Sequence, residues 1–292
     1  MKRSPRASDP LEPPPSPAVR RVRRLSLGVL IALSVIAWAP LAHAAFDQRH
    51  ERWDAFLKQQ VVVSPGGVAS TVRYADIKAH PSVLRSYLAT LSSVTPQEYA
   101  GWSRNDQLAF LINAYNAFTI DLVLTRYPEM KSIKDLGSLL QSPWKRKFFR
   151  LLGEQRSLDD VEHGLIRAPG VFDDPRIHVA VVCASVGCPM LRDEAYVGER
   201  LGPQLDDAMR RFLSDRSRNR FDAENGTVSV SRLFDWYRAD FEHGHQGFDS
   251  LQTLVIRYAD VVGATAEGRA EIRAGRFKLR YLDYDWSLND AR

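Results

Sequence analysis

The sequence predicts an α+β fold, in which a mostly helical single domain surrounds a small mixed or antiparallel sheet after an N-terminal signal segment. The 292 residues are 45% hydrophobic and 26% charged, as in an ordinary globular protein. Amphipathic segments stand beside a few scattered β-branched ones without regular strand–helix alternation, which favours α+β over a parallel α/β sheet. No internal repeat or long linker interrupts the chain after residue 44, so we expect residues 45–292 to form one globular domain.

The first 44 residues have the layout of a bacterial secretory signal. A disordered, basic n-region ends in Arg20–Arg24, an uncharged run of 15 residues extends from Leu25 to Ala39, and Ala42–Ala44 has the small-x-small pattern of a cleavage site. A helix of that length spans about 22 Å, less than a hydrocarbon core of about 30 Å. We therefore expect cleavage near Ala44 and a periplasmic or secreted domain that meets a membrane only through an uncleaved leader. The general secretory and twin-arginine routes both stay open.

The net charge of +5 lies entirely in this leader. Residues 1–44 hold seven basic and two acidic side chains, and the remaining chain holds 33 of each sign. A nucleic-acid-binding domain needs a basic face on the folded protein. The balanced charge gives no indication of one, so we predict no nucleic-acid partner.

Apolar periodicity and turn residues predict the elements of the first half. The spacing predicts a helix over Phe46–Lys58, strands over Val61–Val63 and Val68–Tyr74, and a helix over Tyr74–Leu91. The strongest helix is predicted over Ser103–Arg126, where apolar residues recur at spacings of three and four. Ser103 can cap this helix, because its hydroxyl can accept a hydrogen bond from a free backbone N–H.

The second half continues the same mixture. Ser157 opens a predicted helix that stops near Pro169, with carboxylates in its first turn. The β-branched run Arg176–Cys183 predicts a buried strand. The remaining predicted elements are a helix over Leu201–Leu213, a strand over Thr227–Ser231, a helix over Arg232–Phe241 and a closing strand over Phe277–Asp285.

The two cysteines, Cys183 and Cys188, are the first candidates for chemistry. Their four-residue spacing is neither that of a thioredoxin-type motif nor part of a zinc knuckle. In an oxidising compartment they would form a disulfide, although so short a loop adds little stability. Alternatively, Cys183 is a nucleophilic thiol at the end of a buried strand. Both interpretations stay open.

The helix before that strand carries Glu162, His163 and Arg167. His163 and Arg167 are four residues apart and share one face, at the edge of the apolar stripe. An imidazole there can stabilise a thiolate at the strand end, or these groups are solvated charges on a surface helix. On a regular strand His178 and Cys183 face opposite sides, which favours a structural or binding role for His178.

Two carboxamides, Asn113 and Asn116, lie one turn apart inside the strongest helix. Asparagine is a mediocre helix former, so two of them there need a reason. They either hold a backbone loop by buried hydrogen bonds, which we favour, or donate to a substrate oxyanion. The sequence shows no metal-ligand constellation, phosphate loop or dinucleotide fingerprint, so we predict no metal and no cofactor.

Together these segments resemble the family known as domain of unknown function 547. The matching stretches run in order from about residue 103 to 241, and we predict that they form the family core. They are Phe110–Ala117, Ser132–Asp135, Ser157–Arg167, Asp174–Ala180, Cys183–Pro189 and Phe234–Tyr237. The activity of that family is not established, so the resemblance suggests a family but implies no function.

The residues favour a thiol-dependent hydrolase or acyl-transferase acting on an unknown small-molecule or peptide substrate. Cys183 would be the nucleophile and His163 the base, with Glu162 or Asn116 orienting the imidazole. The binding residues would be Asn113, Arg167, Arg176 and His178, with Arg167 and Arg176 holding an anionic part of the substrate. The rival hypothesis is a non-catalytic periplasmic module for ligand binding or structure, with a Cys183–Cys188 disulfide. Redox carriage by the same pair is a third hypothesis.

Overall fold

The computed structural model describes residues 45–137 and 142–291. The predicted signal segment, residues 1–44, lies outside the described residues. Residues Ala45–Arg292 form one compact unit. About half of the described residues are helical and the rest include small sheets, so the predicted α+β mixture in a single domain is confirmed.

Helices dominate the architecture. The α-helices are α1 (Glu51–Gln60), α2 (Tyr74–Ala79), α3 (Ser82–Ser93), α4 (Pro96–Ala100), α5 (Arg104–Leu124), α6 (Leu201–Ser214), α7 (Leu233–Trp236), α8 (Leu251–Arg257), α9 (Ala259–Val262) and α10 (Ala266–Arg273). A π-helix covers Asp160–Ile166. Short 3-10 helices cover Ile133–Leu136, Pro143–Lys145, Pro175–Val179, Gly198–Arg200, Arg238–Phe241 and His245–Gly247.

The strands are short and fall into three small sheets. They are β1 (Val61–Val63), β2 (Ser70–Val72), β3 (Phe149–Leu151), β4 (Glu154–Arg156), β5 (Arg220–Asp222), β6 (Thr227–Ser231) and β7 (Lys278–Leu282). The pairs β1–β2 and β3–β4 are antiparallel hairpins. In the third sheet β6 pairs antiparallel with β5 and parallel with β7, so this sheet is mixed.

Helix α5 is the centre of the domain. Ser103 accepts a hydrogen bond from the Asp106 backbone N–H, as predicted for its N-cap, and sixteen of the 21 residues of α5 are buried. Among the described residues α5 alone is long and apolar enough to cross a membrane, but most of it is packed inside the domain. The predicted helix over 74–91 is instead two helices, α2 and α3, because Pro81 interrupts the pattern between them.

The predicted strand over Arg176–Cys183 is wrong. Asp174 caps a 3-10 helix over Pro175–Val179 by accepting from the Arg176 N–H, and an irregular loop follows. Proline at the first helical position presets this turn. The β-branched residues are buried as in a strand, but their backbone pairs with a side chain of α5 rather than with another strand.

The predicted helix after Ser157 is present but wound differently. Ser157 and Asp160 cap each other reciprocally, at 3.0 and 2.8 Å. From Asp160 the helix takes π geometry until Ile166, short of the predicted end at Pro169. Such π segments are rare and occur often at functional sites. This one carries both Glu162 and His163.

Candidate active site

A cavity of about 210 Å³ opens where residues of the α5 core meet residues of α7 and the C-terminal tail. It brings together the predicted Cys183, Glu162, His163 and His178. Its lining residues are Tyr115, Ser142, Trp144, Asp159, Glu162, His163, His178, Val181, Cys183, Cys188, Leu233, Trp236, Tyr237, Tyr284 and Trp286.

Cys183 is half-buried in the cavity wall, and hydrogen-bonding groups surround its sulfur. The Sγ atom lies 3.1 Å from Cys188 Sγ, 3.1 Å from the Tyr284 hydroxyl and 3.4 Å from the Ser185 hydroxyl. The Cys183 backbone N–H donates to Cys188 Sγ at 2.9 Å. Both cysteines are free thiols here, and their separation exceeds the roughly 2.05 Å of an S–S bond.

These contacts separate the two thiols chemically. Hydrogen bonds from Cys188, Ser185 and Tyr284 lower the pKa of Cys183 to about 7, against the opposing effect of burial. Burial and the neighbouring Cys183 raise the pKa of Cys188 well above its ordinary value. Cys183 is therefore the thiolate of the pair near neutral pH, and the thiolate is the reactive form of a cysteine.

The loop that carries Cys183 is held from two sides. On one side, Asn116 donates to the Ala180 carbonyl at 2.9 Å and accepts from the Val182 N–H at 2.9 Å. On the other, the Val186 N–H donates to the Ser287 carbonyl and the Gly187 N–H to the Asp285 carbonyl, both at 2.8 Å.

The turn between Cys183 and the tail has unusual backbone geometry. Ala184 adopts a left-handed conformation with φ of 61°, which is costly for a residue with a Cβ. A Cβ at Gly187 would lie 2.9 Å from backbone atoms of Asp285, so only glycine allows this approach of the tail. Strained backbone beside a candidate nucleophile is a frequent feature of functional sites.

Glu162 is only 6% exposed, and two tyrosines hold its carboxylate. The Tyr237 hydroxyl donates to Oε1 at 2.7 Å and the Tyr115 hydroxyl to Oε2 at 3.1 Å. Sequence reasoning expected Glu162 or Asn116 to orient the His163 imidazole. In the structure neither is a hydrogen-bond partner of that imidazole.

His178 belongs to a network that includes Asp240 and Arg167. Its Nε2 lies 2.7 Å from Asp240 Oδ2, its ring stacks on Tyr237 at 3.8 Å, and Arg167 binds both oxygens of Asp240. Burial lowers the pKa of His178, although the Asp240 hydrogen bond opposes this. Burial alone would raise the pKa of Asp240, but hydrogen bonds from His178 and Arg167 hold it well below its usual range.

These directions determine the tautomer of His178. An ionised carboxylate only accepts hydrogen bonds, so Nε2 of the neutral ring must carry the proton that it donates to Asp240. Nδ1 is then an unprotonated acceptor. It is buried and has no hydrogen-bond partner among the described residues. His178 lines the cavity, and Nδ1 is its free basic atom.

His163 lines the same cavity with both ring nitrogens in contact with other groups. Its Nδ1 contacts the Arg167 guanidinium, and its Nε2 lies 3.4 Å from Asp159 Oδ1. The side chain is about 41% exposed, so these contacts are open to solvent. No imidazole of the described residues is within hydrogen-bonding distance of the Cys183 sulfur.

Four predicted residues lie outside the cavity wall: Asn116, which holds the Cys183 loop, and Asn113, Arg167 and Arg176. Asn113 exchanges two hydrogen bonds with the backbone of Tyr196, at 2.7 and 3.1 Å. Arg176 pairs with Asp174 at 2.6 Å. Arg167 lines a neighbouring cavity of about 280 Å³ together with Asp240. No group of three or more His, Cys, Asp and Glu side chains among the described residues forms a candidate metal site.

Sequence reasoning missed Tyr115, Tyr237, Asp240 and Tyr284. None of these four residues was predicted to take part in chemistry. Cys183 and Tyr284 are 101 residues apart, and His178 and Asp240 are 62 apart. Only Tyr115 could have been identified from the sequence, because it lies between the two candidate asparagines of α5.

Comparison with known proteins gives one match, to a family model that covers part of the chain. Neither the search of curated proteins nor the search of solved structures returned a match to this chain. The site combines residues inside and outside the stretch that the family search recognises, since Tyr237, Asp240 and Tyr284 follow it. Residues 99–213 match the model of the family described as "Protein of unknown function, DUF547", which confirms over that segment the resemblance predicted from the sequence.

Proposed function

We propose that this protein is a thiol-dependent hydrolase or acyl-transferase in which Cys183 is the nucleophile. One observation carries the proposal. Cys183, a thiol with a lowered pKa, lines the same cavity as the buried His178, whose Nδ1 has no hydrogen-bond partner among the described residues. Nucleophilic catalysis by cysteine needs a thiolate, a nearby base and a group that orients the base. Cys183, His178 and Asp240 fill these roles.

His178 is a better general base than the His163 expected from the sequence. Both nitrogens of His163 contact charged groups, whereas Nδ1 of His178 has no partner among the described residues. Asp240 acts as a positioning residue, because it fixes the tautomer through Nε2. Arg167 holds Asp240 by two hydrogen bonds.

The proposed reaction has two steps. The Cys183 thiolate attacks the carbonyl carbon of the substrate after its proton passes, through a water in the cavity, to His178 Nδ1, and that proton departs with the leaving group. Water or another acceptor then attacks the thioester, His178 takes its proton, and that proton returns to the Cys183 sulfur as the thioester bond breaks. The proton lost with the leaving group is thus replaced by the one from the acceptor, so the Cys183–His178 pair is restored over the two steps.

A burst assay with p-nitrophenyl acetate tests the proposal on the reduced, full-length chain. We expect one equivalent of p-nitrophenol in the burst and an acetyl group on Cys183 by mass spectrometry. The His178→Gln variant should acylate at least about 100-fold more slowly, as expected for loss of a general base. The matched His163→Gln variant should stay within about threefold of the parent. Acetylation elsewhere, or equal rates in both variants, would contradict the proposal.

The second candidate is a non-catalytic module with a Cys183–Cys188 disulfide. The 3.1 Å separation of the sulfurs favours it, since a small shift would allow the bond. Intact mass after alkylation without reductant distinguishes the two candidates. The catalytic proposal expects a free thiol at Cys183 in freshly isolated protein, and a quantitative disulfide would support the second candidate.

We further propose export of the domain after cleavage near Ala44, from the basic, apolar and small-residue layout of the leader. Expression of the full chain in a bacterial host should yield a periplasmic protein whose N-terminus is Ala45. Recovery of an intact leader in the membrane fraction would contradict cleavage.

A further inference from the structure

The charge of the cavity wall points to the substrate. Among the described residues, the lining includes two carboxylates, Asp159 and Glu162, but no lysine or arginine. The nearby guanidinium, Arg167, is bound to both oxygens of Asp240 and lines the other cavity. The cavity therefore has no cation positioned to receive an anionic substrate, contrary to the expectation that Arg167 and Arg176 would bind one.

Glu162 forms no salt bridge among the described residues; its charge acts on the Arg167 guanidinium, which is itself bound to Asp240. Its carboxylate is 6% exposed, and the partners of its oxygens are the neutral hydroxyls of Tyr115 and Tyr237. Burial of an ionised carboxylate is costly unless a cation compensates it. Each oxygen has lone pairs beyond the one that a tyrosine uses, so the group can still accept from a bound ammonium.

Aromatic rings form much of the remaining wall. Trp236 stacks on Trp286 with centroids 5.4 Å apart, and Tyr284 lies 4.9 Å from Trp236 and 4.5 Å from Trp286. Aromatic faces attract cations through the ring quadrupole. The Lys134 ammonium already lies 3.7 Å from the Trp286 centroid without lining the cavity, which shows that this cluster accepts an alkylammonium group.

A second observation points to a ligand in the same cavity. Nδ1 of His178 is buried without a hydrogen-bond partner among the described residues, and buried polar atoms are seldom left unpaired. An unprotonated imidazole nitrogen is an acceptor, so the group that satisfies it must be a donor. Glu162, the aromatic rings and His178 thus all favour a donor-rich, positively charged ligand.

We propose that the substrate of the Cys183 site carries an alkylammonium group, which binds against Glu162 and the aromatic wall of Trp236, Tyr284 and Trp286. This inference rests on the proposed function, because it names the substrate class of that site. The same chemistry occurs in a lysine side chain and in a free alkylamine.

Charge-matched thiol reagents test the inference. The probes are 2-ammonioethyl methanethiosulfonate, which carries N–H donors, and 2-sulfonatoethyl methanethiosulfonate. In each reaction the Cys183 thiolate attacks the sulfenyl sulfur, a mixed disulfide forms and methanesulfinate leaves. The full chain carries Cys188→Ser, so that the second thiol cannot displace the adduct. Rates are divided by those of a neutral cysteine peptide, and neutral iodoacetamide is run in parallel.

We expect the cationic reagent to be favoured over the anionic one by at least about tenfold after this correction. The Glu162→Gln variant keeps the shape and the hydrogen bonds with the tyrosines, and it should lose most of the preference. The control Asp121→Asn changes a carboxylate of α5 outside the cavity and should keep it. A ratio near one, or a preference for the anionic reagent, would overturn the inference.

The design separates failure of the inference from failure of the proposed function. Fast reaction with iodoacetamide but no charge preference would overturn only the alkylammonium substrate. A thiol that resists all three reagents would contradict the proposed function, and calorimetry of butylamine with the Cys183→Ala variant would then test cation binding alone. Stronger protection of Cys183 by N-acetyl-lysine methylamide than by butylamine would identify a peptide source of the ammonium, and the reverse a free amine. Protection by neither would count against the inference.

Discussion

Two sets of buried polar groups in this domain differ in how completely they are bonded. Asn113 and Asn116 of α5 are each 1% exposed, and each uses its carboxamide to donate to a backbone carbonyl and accept from a backbone N–H. Across the cavity, Nδ1 of the equally buried His178 has no partner among the described residues. The two carboxamides therefore hold the backbone, whereas the unpaired nitrogen of His178 belongs to a residue that lines the cavity and can meet a ligand there.

Replacement of Asn116 should have the largest effect on stability. In Asn116→Ala the Ala180 carbonyl and the Val182 N–H lose their partners in a buried site, which should lower the free energy of unfolding by about 3 kcal/mol. Urea denaturation measures the change. Asn116→Asp keeps the acceptor for Val182 but buries a carboxyl group beside the Ala180 carbonyl, so it should destabilise the domain at least as much. A loss below about 1 kcal/mol for Asn116→Ala would show that α5 does not hold the Cys183 loop.

A second buried scaffold residue, His50, should make the stability of the domain sensitive to acid. It is 2% exposed and hydrogen-bonded to the Tyr87 hydroxyl, and burial lowers its pKa to about 4. Below the unfolded pKa near 6.5 the unfolded state binds a proton first, so stability falls as the pH drops from about 6.5 to about 4. The shift corresponds to about 3 kcal/mol over that range.

Comparison of two histidine variants isolates this effect. His50→Asn removes the titrating imidazole and should therefore flatten the pH dependence of the unfolding free energy. Asn is chosen because it tolerates the left-handed backbone of position 50 (φ 53°). His80→Asn, at an exposed histidine, should leave the curve unchanged. Identical pH slopes for His50→Asn and the parent would contradict the assignment.

Replacement of Tyr284, a residue of the cavity, should have a smaller effect, on the pKa of the Cys183 thiol. Tyr284→Phe removes one hydrogen bond to Cys183 Sγ and should raise the pKa of that thiol by about one unit, or about 1.4 kcal/mol. Alkylation at pH 7 should slow accordingly, with little change in stability. Tyr281→Phe in β7 is the matched control. An unchanged pH profile of Cys183 alkylation in Tyr284→Phe would show that the C-terminal tail does not influence the Cys183 thiol.

Local sequence patterns predicted the scaffold better than the site. Helix α5 and its cap followed from apolar spacing and Ser103, and the prediction of an α+β domain was confirmed. The prediction of a strand over residues 176–183 was wrong. Buried β-branched residues suggested a strand, but the backbone of this segment hydrogen-bonds to the Asn116 carboxamide instead of to another strand. Cys183 was identified from its motif, but its partner Tyr284 lies 101 residues away, a contact that only the fold creates.

The most direct test of the central claim is the pH profile of Cys183 alkylation by iodoacetamide in the reduced, full-length chain. Peptide mapping assigns the label to each cysteine, and Cys188→Ala removes the neighbouring donor. The account predicts a midpoint near pH 7 for Cys183, a higher midpoint in Cys188→Ala and slow labelling of Cys188. A midpoint near 9 for Cys183, or earlier labelling of Cys188, would contradict it.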